Sequence, residues 1–198
     1  MPSIAVTGTI GSGKSLITAS LSKLLPSVTY SADQDNTLLL ESDPDVKREI
    51  LSHFGTEAYH PDGMPDRTFL RKTILSSPER KESLEAILHP RLRARWESLA
   101  GEFRRIPDRF LIAEMPLLFE NNLEDRFDVT VTVACSHENR CKRLEIGRSM
   151  TPVEVVSWTS SQLSQDNKIA RTDHVLWNDG SMNALESQVT RLATLLSS

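Results

Sequence analysis

Two cysteines in 198 residues, Cys135 and Cys141, cannot build a disulfide framework, and neither stands in a CxxC pair or a Cys/His metal spacing. A reducing compartment and no structural zinc are expected. The five histidines, at 53, 60, 89, 137 and 174, are too scattered to suggest a metal cluster. No apolar run approaches the roughly 20 residues that span a bilayer. The start, Met1-Pro2-Ser3-Ile4-Ala5-Val6, lacks a basic n-region and a long hydrophobic stretch. A soluble, cytoplasmic protein with no membrane partner is therefore expected. An excess of positive charge is also missing: 23 Lys and Arg against 27 Asp and Glu leave a formal charge of −4. Such a surface is not built to grip nucleic acid by neutralising phosphates. The basic residues divide into 16 Arg and 7 Lys, and Arg is the planar fork that holds a phosphate at two points. Internal repeats and low-complexity tracts are absent, and the length suits one well-cored domain or one core with a helical insertion.

Short β-branched runs mark five strands: Ser3-Ile4-Ala5-Val6-Thr7, Val28-Thr29-Tyr30, Phe110-Leu111-Ile112-Ala113, Val129-Thr130-Val131-Thr132-Val133, and a weaker His174-Val175-Leu176-Trp177. Helical stretches separate them, and that alternation predicts an α/β fold with a parallel five-stranded sheet flanked by helices. The alternation lapses between about Asp43 and Arg105, where several helix starts follow one another. Asp43-Pro44 opens a segment ending near Phe54-Gly55, and Pro65, Ser77-Pro78 and Pro90 open three more. We expect a helical insertion there. A second helical pause follows the fourth strand: Ser136 caps a helix through about Ile146, and Thr151-Pro152-Val153-Glu154 forms a capping box. A small helical lid bending near Gly147-Arg148-Ser149 is expected. After the turn Asn178-Asp179-Gly180, the spacing of Leu185, Val189, Leu192 and Leu196 predicts a closing helix packed on the sheet.

Glycine is scarce, eight in all, yet Gly8, Gly11 and Gly13 fall together in Gly8-Thr9-Ile10-Gly11-Ser12-Gly13-Lys14-Ser15. This satisfies G-x-x-x-x-G-K-[ST] directly after a predicted strand and before an amphipathic helix, the pattern of a P-loop. Glycines let successive backbone N–H groups approach phosphate oxygens, and the helix N-terminus adds partial positive charge. Lys14 is expected to bridge the β- and γ-phosphates and Ser15 to offer its oxygen to Mg²⁺, with Gly11, Ser12 and Gly13 completing the phosphate contact. The loop leaves the reaction open. A GTPase switch is disfavoured, because Asn167-Lys168-Ile169-Ala170 lacks the Asp of N-K-x-D and no D-x-x-G occurs.

A kinase needs a group that orients and deprotonates its acceptor hydroxyl, and the end of the second strand is a natural place for it. Tyr30-Ser31-Ala32-Asp33 puts a carboxylate there. Asp33 is the candidate base, a helix N-cap is its alternative role, and Asp35 is a weaker rival. Glu114, ending the Phe110 strand, stands where an acid could hold a Mg²⁺-bound water or be an ordinary exposed carboxylate. Arg143 and Arg148 flank the lid bend; a solvated helix face would also carry arginines, and Arg140 and Lys142 read as that face.

In order and spacing, the chain resembles the dephospho-CoA kinase family along almost its whole length. The matching stretches are the P-loop, Ser31-Ala32-Asp33, Phe54-Gly55 with Asp62-Gly63 and Asp66-Arg67, Leu70-Arg71, Leu84 through His89-Pro90, Pro116-Leu117-Leu118-Phe119-Glu120, Arg143 with Arg148, Ser161-Gln162, and Asp173 through Gly180. The resemblance implies phosphorylation of the ribose 3′-hydroxyl of dephospho-CoA by ATP with Mg²⁺, the last step of coenzyme A synthesis. It implies a P-loop core (1–42, 106–140 and 171–198), a helical acceptor lobe (43–105) and a lid (141–170). Asp33 becomes the base, and His89, Pro116, Leu117 and Leu118 line the acceptor cleft. Arg143 and Arg148 meet the phosphates on lid closure, Arg148 among the catalytic groups, and Asn178 belongs to a base-contacting loop. Arg67 and Arg71 face the acceptor's phosphates or support the lobe, with support favoured for Arg67. Dephospho-CoA and ATP are the expected partners, without nucleic acid or an obligate protein partner.

Three positions depart from the family pattern. Leu16 stands where Thr is usual and offers ATP only its backbone N–H. Ser31 replaces a frequent Asp, and Ser149 replaces the Asp that commonly follows the lid arginine. Another small-molecule kinase, acting on a nucleoside or nucleotide, is the nearest alternative; a nucleotide-dependent regulatory switch is a more distant one.

Overall fold

The computed structural model describes residues 2–103, 109–148, 151, 155–156, 159–160 and 162–197, the side chains of 103 and 148 excepted. Five strands are present: β1 (Ser3–Thr7), β2 (Ser27–Ser31), β3 (Phe110–Glu114), β4 (Val129–Ala134) and β5 (His174–Trp177). The longer described helices are α1 (Lys14–Leu24), α2 (Ala32–Ser42), α3 (Pro44–Phe54), α4 (Arg67–Ser76), α5 (Pro78–Phe103), α6 (His137–Arg148), α7 (Gln165–Arg171) and α8 (Met182–Leu196). No described helix is long and apolar enough to cross a membrane.

Two compact units divide the chain: a sheet unit of Met1–Ser31 with Phe103–Ser198, and a helical unit of Ala32–Glu102. In the sheet unit the strand order is β2-β3-β1-β4-β5, and all pairings are parallel. Alternate residues take opposite faces. Ile4 and Val6 of β1 and Val131 and Val133 of β4 join Ile17 and Leu21 of α1 and Leu185 and Val189 of α8 in one apolar cluster. Emptying one such site by Leu or Ile→Ala costs about 2–5 kcal/mol. The residues between them face the other way: Thr132 Oγ1 donates to Lys168 O of α7 at 3.5 Å, and Thr7 Oγ1 to Pro116 O at 3.5 Å. At its start β1 is held by Asp128 Oδ2, which accepts from both the amide and hydroxyl of Ser3 at 2.7 Å.

The helical unit starts at Ala32 rather than 43, because α2 sends Leu39 and Leu40 into the same cluster as Val46, Ile50, Tyr59 and Leu70. Asp43 caps α3 as expected, accepting from the amides of Asp45 and Val46 at 3.0 and 3.1 Å, with Pro44 at the first position. That helix ends at Gly55, where φ of 86° suits glycine. Two expected starts are corrected. Asp66, not Pro65, opens α4, through a bond from the Phe69 amide at 2.8 Å, and Pro65 instead bridges Tyr59. Pro90 opens no helix; it lies inside the unbroken α5. The ring removes one helical donor and weakens the turn beneath it, and there the Arg91 guanidinium donates to Ile87 O at 2.7 Å while pairing with Glu49 at 2.7 Å. These bonds tie the helix beside the proline to itself and to α3.

Candidate active site

The loop from Gly8 to Ser15 joins β1 to α1 beside the point where the sheet order reverses around β1, the usual ligand crevice of open parallel sheets. Its glycines are there for space as well as torsion. Gly13 has φ of 99°, and a Cβ on it would lie 2.2 Å from Asn178 Nδ2; a Cβ on Gly8 would lie 2.4 Å from Val133 O. The first turn of α1 carries no acidic side chain, and Gly13 supplies no side-chain cap. Its positive end is thus left for an anion.

Lys14, nearly buried, donates to Gly8 O and Thr9 O, both at 3.2 Å. Ser15 Oγ donates to Glu114 Oε1 at 2.9 Å, so the loop hydroxyl and the acid at the end of β3 converge although 99 residues apart. Two hard oxygen donors side by side fit Mg²⁺, which takes few protein ligands and completes its octahedron with water and phosphate. Among the described residues no group of three or more His, Cys, Asp or Glu side chains forms a metal cage.

Helix α6 faces this loop, with Leu144 and Arg140 against Gly11. Ser136 caps it as expected, accepting from the Asn139 amide at 3.3 Å. The cap is itself held by Asp179, whose carboxylate accepts from the Ser136 amide and hydroxyl and from Asn139 Nδ2. Arg143 Nη2 donates to Asn178 O at 2.6 Å and its Nη1 to Ser12 O at 3.3 Å, while Asn178 Nδ2 donates to Ser12 O at 2.8 Å. Arg143 and Asn178, both expected at the nucleotide, therefore brace the loop in this structure. Arg140 departs from the solvated face expected of it: its Nη1 donates to Thr9 Oγ1 at 3.1 Å. Lys142 does remain exposed, paired with Glu138 at 2.6 Å. Burial raises the pKa of the Cys135 thiol, opposed by Arg143, Arg140 and Lys14, whose positive charges converge here. The Leu16 N–H, expected at the nucleotide, donates to Gly13 O at 3.1 Å in this structure. The Arg148 side chain and Ser149 lie outside the described residues, as does Ser161.

On the other face of the sheet, Lys168 of α7 is fully buried, with Nζ donating to Pro116 O at 2.8 Å and paired with Glu120 Oε1 at 2.8 Å. Glu120 Oε1 also accepts from the Leu163 amide at 2.9 Å, and the neighbouring Gln162 Oε1 accepts from the Ile10 amide of the phosphate loop at 3.0 Å. Within the expected acceptor segment, Pro116 and Leu117 are half-buried but Leu118 is wholly buried. The Leu118 side chain thus anchors the segment in this structure.

In the helical unit, α2 begins at Ala32, so Asp33 lies exposed in its first turn and is not its N-cap. Asp35, the rival, pairs with Arg95 Nη1 at 2.9 Å. Arg67 supports the lobe as expected, bonding Glu41 and Thr37 at 2.8 and 3.3 Å. Arg71 sits half-buried on α4, and His89 half-buried on α5. Sequence reasoning missed Arg140, Asp179 and Lys168 as structural partners. Lys168 carried one signal, a lysine within an otherwise failed nucleotide motif.

The dephospho-CoA kinase family model matches residues 3–184. A curated dephospho-CoA kinase from Salinibacter ruber is 31% identical over 97% of this chain and 96% of its own length, and one from Desulfotalea psychrophila is 34% identical over 94% and 93%. Among solved structures, TT1252 from Thermus thermophilus aligns with a TM-score of 0.80 at 29% identity, covering 100% of this chain and 98% of its own. The dephospho-CoA kinase from Campylobacter jejuni aligns with a TM-score of 0.71 at 20% identity, covering 98% and 96%. Shikimate kinase from Bacteroides thetaiotaomicron, at 0.54 and 15%, shares the fold.

Proposed function

The chain belongs to the dephospho-CoA kinase family, and from that premise we propose how its own residues carry the transfer of phosphate from ATP to the ribose 3′-hydroxyl of dephospho-CoA. The observation that carries the reading is the glycine loop ending in Ser15, with Ser15 Oγ on Glu114 Oε1 at 2.9 Å. The backbone of Gly8 to Ser15 cradles the phosphates, including Gly11, Ser12 and Gly13. Lys14 exchanges its two carbonyl partners for the β- and γ-oxygens, a stronger charge-assisted pairing. Ser15 and Glu114 are the groups that would hold Mg²⁺, Glu114 through water. When bound, Mg²⁺ supplies charge neutralisation between the β- and γ-phosphates.

Asp33 orients the 3′-hydroxyl and accepts its proton. With a loose phosphoryl transition state, orientation is its main duty and the proton moves late. Arg143 holds the loop in shape through Ser12 and Asn178, and Arg148 offsets charge on the transferred group when the lid closes. His89, Arg71, Pro116 and Leu117 contact the acceptor. We place the enzyme in the cytoplasm, in keeping with its two free thiols, acting on its two substrates with no obligate protein partner.

Turnover of Mg·ATP with dephospho-CoA beside adenosine, AMP and gluconate tests the activity. Phosphate should appear on dephospho-CoA alone, at the ribose 3′ position. Preferential transfer to adenosine or AMP would replace this reading with a nucleoside or nucleotide kinase.

A further inference from the structure

We propose that Lys168 is a positioning residue for the acceptor, holding the segment after β3 in place on the face of the sheet away from α1. Three contacts meet at one ammonium group with no solvent exposure: Pro116 O at 2.8 Å, and Glu120 Oε1 and Oε2 at 2.8 and 3.0 Å. An ammonium is costly to bury, and here burial pushes the Lys168 pKa down while Glu120 opposes that shift. Replacing a buried ion pair by apolar groups is often neutral for stability. A geometric role accounts for a charge kept at this cost.

What the pair joins is specific. Pro116 follows Glu114 by two residues, and its carbonyl also accepts from Thr7 Oγ1 of β1. Glu120 takes the Leu163 amide, and the adjacent Gln162 takes the Ile10 amide in the phosphate loop. Arg171, one turn beyond Lys168, stacks over the Phe119 ring at 4.9 Å and donates to Phe119 O at 3.2 Å. The segment from Pro116 to Glu120 is thereby held at both ends by α7, and the residues returning from the lid are tied to it and to the phosphate loop. A displacement of about 1 Å at a reacting group can cost on the order of a hundredfold in rate.

The inference rests on reading Pro116 and Leu117 as acceptor contacts. Lys168→Met and the double variant Lys168→Met/Glu120→Leu are compared with the full-length wild type by thermal melt, ADP titration, and initial rates with varied dephospho-CoA. The double variant removes both charges, so its folding is not burdened by a lone buried carboxylate. Both should lose about tenfold or more in kcat/KM for dephospho-CoA, with KM raised, while ADP affinity stays within about twofold. A folded double variant with wild-type constants, or a loss shared equally with ADP affinity, overturns the proposal. If neither methionine variant folds, Glu120→Gln decides: a raised KM for dephospho-CoA supports it, and an unchanged KM overturns it. Leu117→Ala reports separately on the acceptor contact, and an inactive wild type would sink the activity instead.

Discussion

Asp35 and Arg95 form an ion pair at 2.9 Å in which the aspartate side chain is only 14% exposed, whereas Asp33, two residues earlier on the same helix, is exposed. The two carboxylates at the start of α2 are thus chemically unlike. Asp35 is committed to Arg95 and the helical unit, and Asp33 is accessible to a substrate. Asp33→Asn should change stability by no more than about 1 kcal/mol, the worth of an acid in a first helical turn, while turnover falls on the order of a hundredfold. Asp35→Asn should do the reverse, lowering the melting temperature with turnover held within about tenfold. Melts and rates on both proteins check the pair; equal loss of turnover would remove Asp33 as the base.

Lys14 bonds two loop carbonyls that water or phosphate can replace. Lys14→Ala should therefore fold normally and lose on the order of a hundredfold or more in kcat, as expected for a charge aimed at the migrating group. A loss of only a few fold would contradict its assignment.

Glu114→Gln keeps an oxygen near Ser15 Oγ but removes the negative charge. The Mg²⁺ concentration giving half-maximal rate should rise about tenfold, and kcat should fall with it. A rate curve in Mg²⁺ identical to wild type would leave Glu114 a structural carboxylate.

Arg143 spans Ser12 O and Asn178 O with two separate nitrogens. Lysine keeps the charge and loses the fork. Arg143→Lys should weaken ATP binding about tenfold, or ~1.4 kcal/mol, measurable by titration. Unchanged affinity would show that Asn178 alone shapes the loop.

Asp173 Oδ2 accepts from the Thr130 hydroxyl at 2.7 Å and the Thr130 amide at 2.8 Å, and these bonds hold its carboxyl below the ordinary aspartate range. With the folded pKa below the unfolded one, the stabilisation is complete above the ordinary value of about 3.9 and is lost as pH falls through the folded pKa. Asp173→Asn should lower the melting temperature more at pH 7 than at pH 3. A difference independent of pH would mean that only the hydrogen-bond geometry matters.

All five strands were legible in the sequence, because a β-branched run flanked by turn residues is a local signal, and so was the phosphate loop, where glycines precede Lys14 and Ser15. Even the weak His174–Trp177 run forms β5. Asp43 and Ser136 were legible as caps for the same reason, since a cap and its amide lie within three residues. Pro90 was misread because proline is a local helix-start signal, whereas α5 runs through it and is held beside it by the pairing of Arg91 with Glu49, 42 residues away in sequence.

Other features had no local trace. Arg140 reaches Thr9 across 131 residues, Asn178 reaches Ser12 across 166, and Lys168 reaches Pro116 across 52. Amino-acid order alone determined which segments become strands, which glycines make the phosphate loop and which carboxylates are available. Only the tertiary structure decided which arginine turns inward, which lysine is buried and which aspartate is already paired. A side chain's solvent exposure and its partners depend on whichever distant segments the parallel sheet brings alongside it.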